Sequence, residues 1–245
     1  MHRITAVTSR TAFVDELRRA VPRMGGPRGF LLLAALAGLA TLIPGRLGAA
    51  FLDPVYQAAY TALAFLFAGS YAAQGFAGER ERQLLINWSG EARPLVLGKL
   101  LAATLWGWLC WLLIYGASLG WLASAAGGGP TLPAPLLLLG VAALAAGLAW
   151  VSATAGAAIG LSVFSPVTAR QLLRLGFFFI LLLMLTLPRL LPDDVQQSLR
   201  ALLAPQRAGK SLLIAAAGLA LVGMVFYRRA LSILTDQRTG LSITS

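Results

Sequence analysis

One polar stretch, set between two long apolar runs, decides the fold: Gly78-Glu79-Arg80-Glu81-Arg82-Gln83-Leu84-Leu85-Ile86-Asn87-Trp88-Ser89-Gly90-Glu91-Ala92-Arg93-Pro94-Leu95-Val96-Leu97-Gly98-Lys99. It contains seven charged residues, whereas residues 55–76 before it and 100–126 after it contain none. An apolar helix of about 20 residues crosses the ~30 Å hydrocarbon core of a bilayer. Both runs are long enough, so the polar stretch is predicted to lie outside the bilayer, within reach of a soluble partner.

The composition of the whole chain is that of a membrane protein. Of its 245 residues, 58% are hydrophobic and 12% are charged, which is outside the range of soluble globular domains. At about 20 residues a crossing, this length predicts one membrane domain with five or six crossings and no second soluble domain. A signal peptide is not expected, because a basic head, residues 1–28, precedes the first apolar run.

The net charge of +11 raises the question of nucleic-acid binding. The basic residues flank apolar runs, and they lack the clustered face with interleaved aromatic residues that a nucleic-acid groove requires. A bilayer with anionic lipids is the simpler acceptor of this charge. The sequence therefore predicts contact with a lipid membrane and no nucleic-acid partner.

The apolar pattern predicts an all-α polytopic membrane protein with six transmembrane helices. Residues 1–28 are predicted as a cytoplasmic head, 29–227 as the transmembrane domain and 228–245 as a cytoplasmic tail. The first run is short, so its helix either begins near Arg28 or continues to Leu52. The predicted crossings are 30–43, 55–76, 100–126, 136–164, 172–187 and 211–227.

Local signals mark the ends of several of these helices. Pro188 and Pro192 are expected to end the fifth crossing, and Arg228-Arg229 the sixth. Asp193 and Asp194 follow Pro192, and proline and carboxylates favour a helix N-terminus. A short external helix, 192–204, is therefore predicted between the fifth and sixth crossings.

The head contains an amphipathic pattern over residues 10–21. At 100° per residue, Phe13 and Leu17 lie on the apolar side, while Glu16, Arg18 and Arg19 lie on the polar side. Such a helix lies along the membrane surface, with Phe13 and Leu17 in the acyl boundary and the arginines at the lipid headgroups. The alternative is an ordinary solvated arm.

Small residues recur at four-residue steps in the fourth crossing. Ser152, Gly156 and Gly160 form one such row. Small side chains let helix backbones approach closely in lipid, where apolar burial provides no drive for association. This row is predicted to pack against protein.

The basic residues indicate the orientation of the chain. Six crossings place both termini on one side, and the positive-inside rule identifies that side as the cytoplasm. Fifteen Lys and Arg residues lie on the side of the head and of the stretch 78–99, whereas five lie on the other. Both termini and this stretch are therefore predicted to be cytoplasmic.

No residue pattern predicts enzymatic chemistry. His2 is the only histidine and Cys110 the only cysteine, which excludes histidine-based metal sites, cysteine clusters and His-assisted nucleophiles. Gly209-Lys210-Ser211 lacks the glycine that a phosphate-binding loop requires five residues before Gly209. The chain is predicted to bind no cofactor, and its crossings contain no carboxylate that would couple transport to protons or sodium.

The central stretch also resembles a known family. Its charged run Glu79-Arg80-Glu81-Arg82, followed by a short amphipathic piece and by Leu97-Gly98-Lys99-Leu100, is similar to the segment after the second membrane helix in permease subunits of type 2 ATP-binding cassette exporters. The resemblance implies a bacterial or archaeal cell membrane, a second permease chain, identical or related, and cytoplasmic ATPase subunits that bind ATP and magnesium. It also implies that this segment contacts the ATPase, or braces against the head helix, through Glu79, Arg80, Glu81, Arg82, Leu84, Leu85, Trp88 and Arg93.

A different class of function fits the same layout. A non-transporting membrane protein, such as an assembly or sensory subunit, would also show six helices and basic cytoplasmic loops. An ATPase partner with a phosphate-binding loop distinguishes the exporter from this alternative.

Overall fold

The computed structural model of the chain describes residues 9–23, 31, 34–35, 37–39, 41–81, 91–125, 133–163, 165–190, 192–204 and 206–242. Nearly all of these residues are helical and none of them is in a strand, which confirms the predicted all-α class. The helices are α1 (Ser9–Arg23), α2 (Leu42–Leu47), α3 (Pro54–Tyr60), α4 (Ala62–Glu81), α5 (Ala92–Ala125), α6 (Pro135–Ser162), α7 (Pro166–Leu190), α8 (Asp193–Leu202) and α9 (Ala208–Ser242), with a 3-10 helix at Gly48–Leu52.

Three of the described helices are long and apolar enough to cross a membrane. They are α5, α6 and the Ala208–Gln237 part of α9, and they make the chain a membrane protein by length and composition. At about 1.5 Å per residue, α5 is roughly 50 Å long, well beyond a ~30 Å hydrocarbon core. Of the predicted first crossing, 30–43, residues 31, 34–35, 37–39 and 41–43 are described, and α2 begins within it at Leu42.

The second predicted crossing is interrupted. Asp53 caps α3 by accepting a hydrogen bond from the Val55 amide at 2.8 Å, and α3 ends at Tyr60. The Thr61 hydroxyl then donates to the carbonyl oxygen of Ala58 at 2.5 Å. Such local side-chain bonds compete with the helical ladder, and α4 begins at Ala62.

Helix α7 ends at Leu190, between the two prolines expected to end the fifth crossing. It passes Pro188, since an interior proline removes one hydrogen bond but does not have to stop a helix near its end. The helix end predicted at Arg228-Arg229 is wrong. Helix α9 passes Arg228 and Arg229 and ends at Ser242, because arginine is a good helix former. A basic pair marks a bilayer boundary, and the predicted tail 228–245 is helical as far as Ser242. Helix α8 lies within the predicted 192–204 and contains Asp193 and Asp194 in its first turn.

Helices α4 and α6 pack with their backbones almost in contact. A Cβ added at Gly156 would lie 2.5 Å from the carbonyl oxygen of Gly69, and one at Gly160 would lie 2.6 Å from another α4 carbonyl oxygen. The Ser152 hydroxyl donates to the carbonyl oxygen of Phe65 at 2.5 Å. The structure thus places the small-residue row of α6 directly on α4, inside the core that α4, α5, α6 and α9 share.

One end of the bundle brings together the C-termini of α4 and α6, the N-termini of α5 and α7, and the last turns of α9. A Cβ added at Gly78 would lie 3.7 Å from Pro166, and the Gln237 side-chain amide donates to the carbonyl oxygen of Leu161 at 2.9 Å. We call this the connector end, because residues 82–90 connect α4 to α5 there. The basic residues Arg80, Arg93, Lys99, Arg170, Arg228 and Arg229 belong to these helix ends.

The opposite end contains a buried hydrogen-bond network between α3 and α5. The Tyr115 hydroxyl donates to the side-chain oxygen of Gln57, whose amide donates to the carbonyl oxygen of Phe51 at 2.6 Å. The hydroxyls of Tyr60 and Ser118 lie 2.7 Å apart. These bonds satisfy polar groups that would be costly to leave unpaired in a membrane protein interior.

Candidate functional site

The connector end contains a buried cluster of charged side chains around Lys99. The Lys99 ammonium lies 2.6 Å from Oε1 of Glu79 and 2.9 Å from Oε2 of Glu16. Lys99 is 8% exposed, Glu79 6% and Glu16 3%. A single ammonium therefore joins three helices, since Glu16 belongs to α1, Glu79 to α4 and Lys99 to α5.

Tyr71 completes what we call the Lys99 cluster, which consists of Glu16, Tyr71, Glu79 and Lys99. The Tyr71 hydroxyl lies 3.1 Å from Oε1 of Glu16 and 3.3 Å from the Glu16 carbonyl oxygen, and it donates toward both. Hydrogen bonds between charged groups are shorter and stronger than neutral ones. The contacts of Lys99 with both carboxylates are therefore strong, directional ties between helices distant in sequence.

The local sequence explains why Glu79 needs a cation. Glu79 lies in the last turn of α4, which ends at Glu81, and a negative charge near a helix C-terminus opposes the helix dipole. Burial adds a desolvation cost, which a charge can offset only through a close partner and further hydrogen bonds. Lys99, two turns into α5, provides that partner. The two ends of the stretch 78–99 are held together as a result.

The structure separates the residues predicted to contact a partner. Glu79 is buried in the Lys99 cluster, and Arg80 is half-buried. Glu81 and Arg93 are exposed on either side of the connection. The predicted contact residues Arg82, Leu84, Leu85 and Trp88 lie outside the described residues.

The structure also shows an inward face of α1 that differs from the predicted one. Helix α1 lies against α5, with Ala12 and Glu16 buried. Phe13 and Leu17, predicted to enter the acyl boundary, are half-buried, and Arg18 is exposed. The side chain of Arg19 lies outside the described residues. Glu16 was assigned to the polar side, and that assignment is wrong, because Lys99 offers it a buried counter-charge.

The sequence analysis therefore missed three residues of the cluster, Glu16, Tyr71 and Lys99. It did not predict that Lys99 pairs with two carboxylates. One signal for Lys99 was available, since it is the last cation before 70 residues without charge, 100–169. A lysine in that position either extends toward the interface or needs an acidic partner. Nothing in the sequence identifies Glu16 as that partner, because 83 residues separate the two.

A groove of about 860 Å³ opens at the connector end, between the start of α5 and α9. Arg93 and Arg228 line it together with two acids, Glu91 and Asp236. On the same stretch of α9, Ala230 and Leu234 are fully buried. The groove thus presents both signs of charge. The remaining lining residues are Ala92, Leu231, Ser232 and Thr235.

The described residues contain no group of three or more His, Cys, Asp or Glu side chains that could hold a metal ion. Cys110 is buried. Gly209 lies at the end of the bundle opposite the Lys99 cluster, where a Cβ added to it would lie 2.6 Å from the carbonyl oxygen of Leu136. The arrangement at the connector end is suited to holding helices and presenting charge to a partner.

Comparison with models of protein families found no match to this chain, and a search of curated proteins found no relative.

Proposed function

We propose that this chain is the transmembrane subunit of an ATP-driven exporter of the type 2 class, and that the segment 78–99 couples it to a cytoplasmic ATPase. The observation that carries the proposal is the contact between Glu79 and Lys99, at the two ends of that segment. Because this contact joins the two ends, the segment 78–99 has a closed base. A soluble partner that moves this segment would move α4 and α5 together.

The packing of α4 supports transmission of such a movement into the membrane. Gly69 of α4 lies against Gly156 of α6, and the Ser152 hydroxyl bonds the α4 backbone. Closely packed helices shift as units, because interiors at native density do not deform continuously. Displacement of α4 would therefore carry α6 with it. In the exporter, these helices would border a solute path shared with a second, identical or related permease chain.

The orientation belongs to the same proposal. The apolar runs favour six crossings, and the three-to-one bias of basic residues favours both termini and the connector end in the cytoplasm. The family resemblance implies a bacterial or archaeal cell. ATP and magnesium would then be bound by the partner, since this chain contains no phosphate-binding loop. The chain itself would be no enzyme, and the assembled complex would be the translocase.

The groove between α5 and α9 is the proposed second part of the ATPase contact. It lies next to the connector and presents Arg93 and Arg228 beside Glu91 and Asp236. A surface with both signs of charge selects a partner with the complementary pattern and penalises others. Glu81, exposed at the end of α4, extends this surface on the other side of the connector.

The test is purification of the tagged chain from its native membrane in mild detergent. The expected result is co-purification of a soluble protein with a phosphate-binding loop, and its ATP hydrolysis should depend on the permease. Arg93→Glu with Arg228→Glu should reduce co-purification at least tenfold, while Arg46→Glu, an exposed substitution at the opposite end, should not. Absence of any ATPase from the purified complex would overturn the exporter and favour the assembly or sensory subunit.

A further inference from the structure

Over residues 10–18, helix α1 is attached to the bundle mainly by polar contacts. Among its described side chains, residues 10–18, only Ala12 and Glu16 are buried, and Ala12 is small. Phe13 and Leu17 are half-buried, and Val14 is exposed. Burial of a single methyl group contributes little to the free energy of docking. The principal ties of α1 described here are therefore the Glu16–Lys99 ion pair and the Tyr71–Glu16 hydrogen bond.

A helix held in this way is easily released. A buried ion pair recovers little net free energy, because the attraction of the charges is largely offset by the cost of taking them out of water. Elements with few buried apolar contacts open at a lower free energy than the core. By contrast, the α4–α6 contact rests on close backbone packing. Release of α1 would leave this contact intact.

We propose that α1 is a releasable strap over the base of the segment 78–99, and that Glu16 and Tyr71 set whether it is docked. When the strap is docked, Lys99 bridges α1, α4 and α5. When the strap is released, Lys99 keeps its shorter contact with Glu79 but gains exposure to water. The base of the segment then loses one of its three helices and becomes more mobile. This last consequence for coupling rests on the proposed exporter function.

The strap is tested by hydrogen exchange on the full chain in detergent, without any partner. Glu16→Gln removes one charge of the pair, and Tyr71→Phe removes only a hydroxyl group, which keeps all charges in place. Both variants should raise amide exchange in α1 about tenfold or more, as expected for loss of a hydrogen bond to a charged group, while α6 keeps its protection. Tyr56→Phe, an exposed tyrosine at the other end, should change nothing.

Two further variants separate a strap from a general loss of stability. Glu79→Gln keeps the Glu16–Lys99 pair, so exchange in α1 should stay at its original rate. The double exchange Glu16→Lys with Lys99→Glu keeps two carboxylates and one ammonium in the cluster, and it should restore protection relative to Lys99→Glu alone. Unchanged exchange in Glu16→Gln and Tyr71→Phe would overturn the proposal. Equal exposure of α1 and α6 in either variant would do so as well.

The regulatory consequence is measured separately in the complex with the ATPase. Release of the strap by Tyr71→Phe should change the rate of ATP hydrolysis at least twofold without loss of the bound ATPase. If exchange in α1 rises but the complex hydrolyses ATP at the original rate, the strap exists and its regulatory role is wrong. If no ATPase is bound to the unmodified chain, the exporter proposal fails while the exchange result still decides the strap.

Discussion

Nζ of Lys99 lies 2.6 Å from Oε1 of Glu79, so the first and last charged residues of the stretch 78–99 are in direct contact. The pair is buried, and the same ammonium reaches Glu16 of α1 at 2.9 Å. A stretch that the sequence shows only as a polar interruption thus has a closed, charged base. Because that base joins three helices, its removal should affect more than one element.

Lys99→Met should lower the free energy of unfolding by about 3–5 kcal/mol, the usual result of leaving buried charges without their partner. The loss would appear as a lower thermal midpoint of the purified protein in detergent. The matched control combines Lys99→Met with Glu16→Gln and Glu79→Gln, which removes every formal charge of the cluster. That triple variant should regain most of the stability lost in Lys99→Met. A single Lys99→Met variant as stable as the original chain would show that the cluster does not hold the helices.

Gly156→Ala should destabilise the contact between α4 and α6, because the added Cβ would lie 2.5 Å from the Gly69 carbonyl oxygen. Overpacking of this kind costs about 1–3 kcal/mol. The control is Gly116→Ala in α5, since a Cβ there has no atom within 4 Å. Thermal unfolding of both variants checks the prediction. Equal thermal midpoints for the two variants would mean that α4 and α6 can move apart at Gly156 without loss of stability.

Tyr115→Phe should destabilise the end of the bundle opposite the connector. It leaves the buried side-chain oxygen of Gln57 without the Tyr115 hydroxyl, and an unsatisfied buried acceptor costs about 1–3 kcal/mol. Hydrogen exchange should rise in α3 and stay constant in α1. An equal rise in both would contradict the separation of the two polar clusters.

The orientation can be tested with single cysteines, because the natural Cys110 is buried and provides an unreactive background. Ser232→Cys, in the exposed part of α9 beside the groove, should react with a membrane-impermeant maleimide only in inside-out vesicles. Gln206→Cys, exposed just before α9, should react only in intact cells. Labelling of both positions from one side would rule out the proposed orientation of α9.

The helical class and the long apolar helices could be predicted from the sequence, since apolar run length reports directly on membrane crossing. The row of Ser152, Gly156 and Gly160 was also visible, because small residues at four-residue steps have one principal use in lipid. Helix ends were predicted less well. Arg228 looks like a stop in sequence, but α9 continues past it, with Ala230 and Leu234 fully buried.

The Lys99 cluster could not be predicted from the sequence, for a different reason. The amphipathic pattern assigned Glu16 to the polar side of α1, because this pattern depends only on the residues of the helix itself. Its burial depends on Lys99, 83 residues away, and no local pattern contains that pairing. The resemblance to exporter permeases drew attention to the stretch 78–99, whereas the identity of the groups that hold its base required the arrangement of α1, α4 and α5.

In the proposed exporter, a cytoplasmic ATPase moves this chain from the connector end. The most direct measurement introduces a photo-crosslinking amino acid at Arg93 in the native membrane and, in a separate variant, at Lys210 on the opposite end. The account predicts a crosslink from position 93 to a soluble protein with a phosphate-binding loop, and none from position 210. A crosslink to such a protein from position 210 alone, or from neither position, would contradict it.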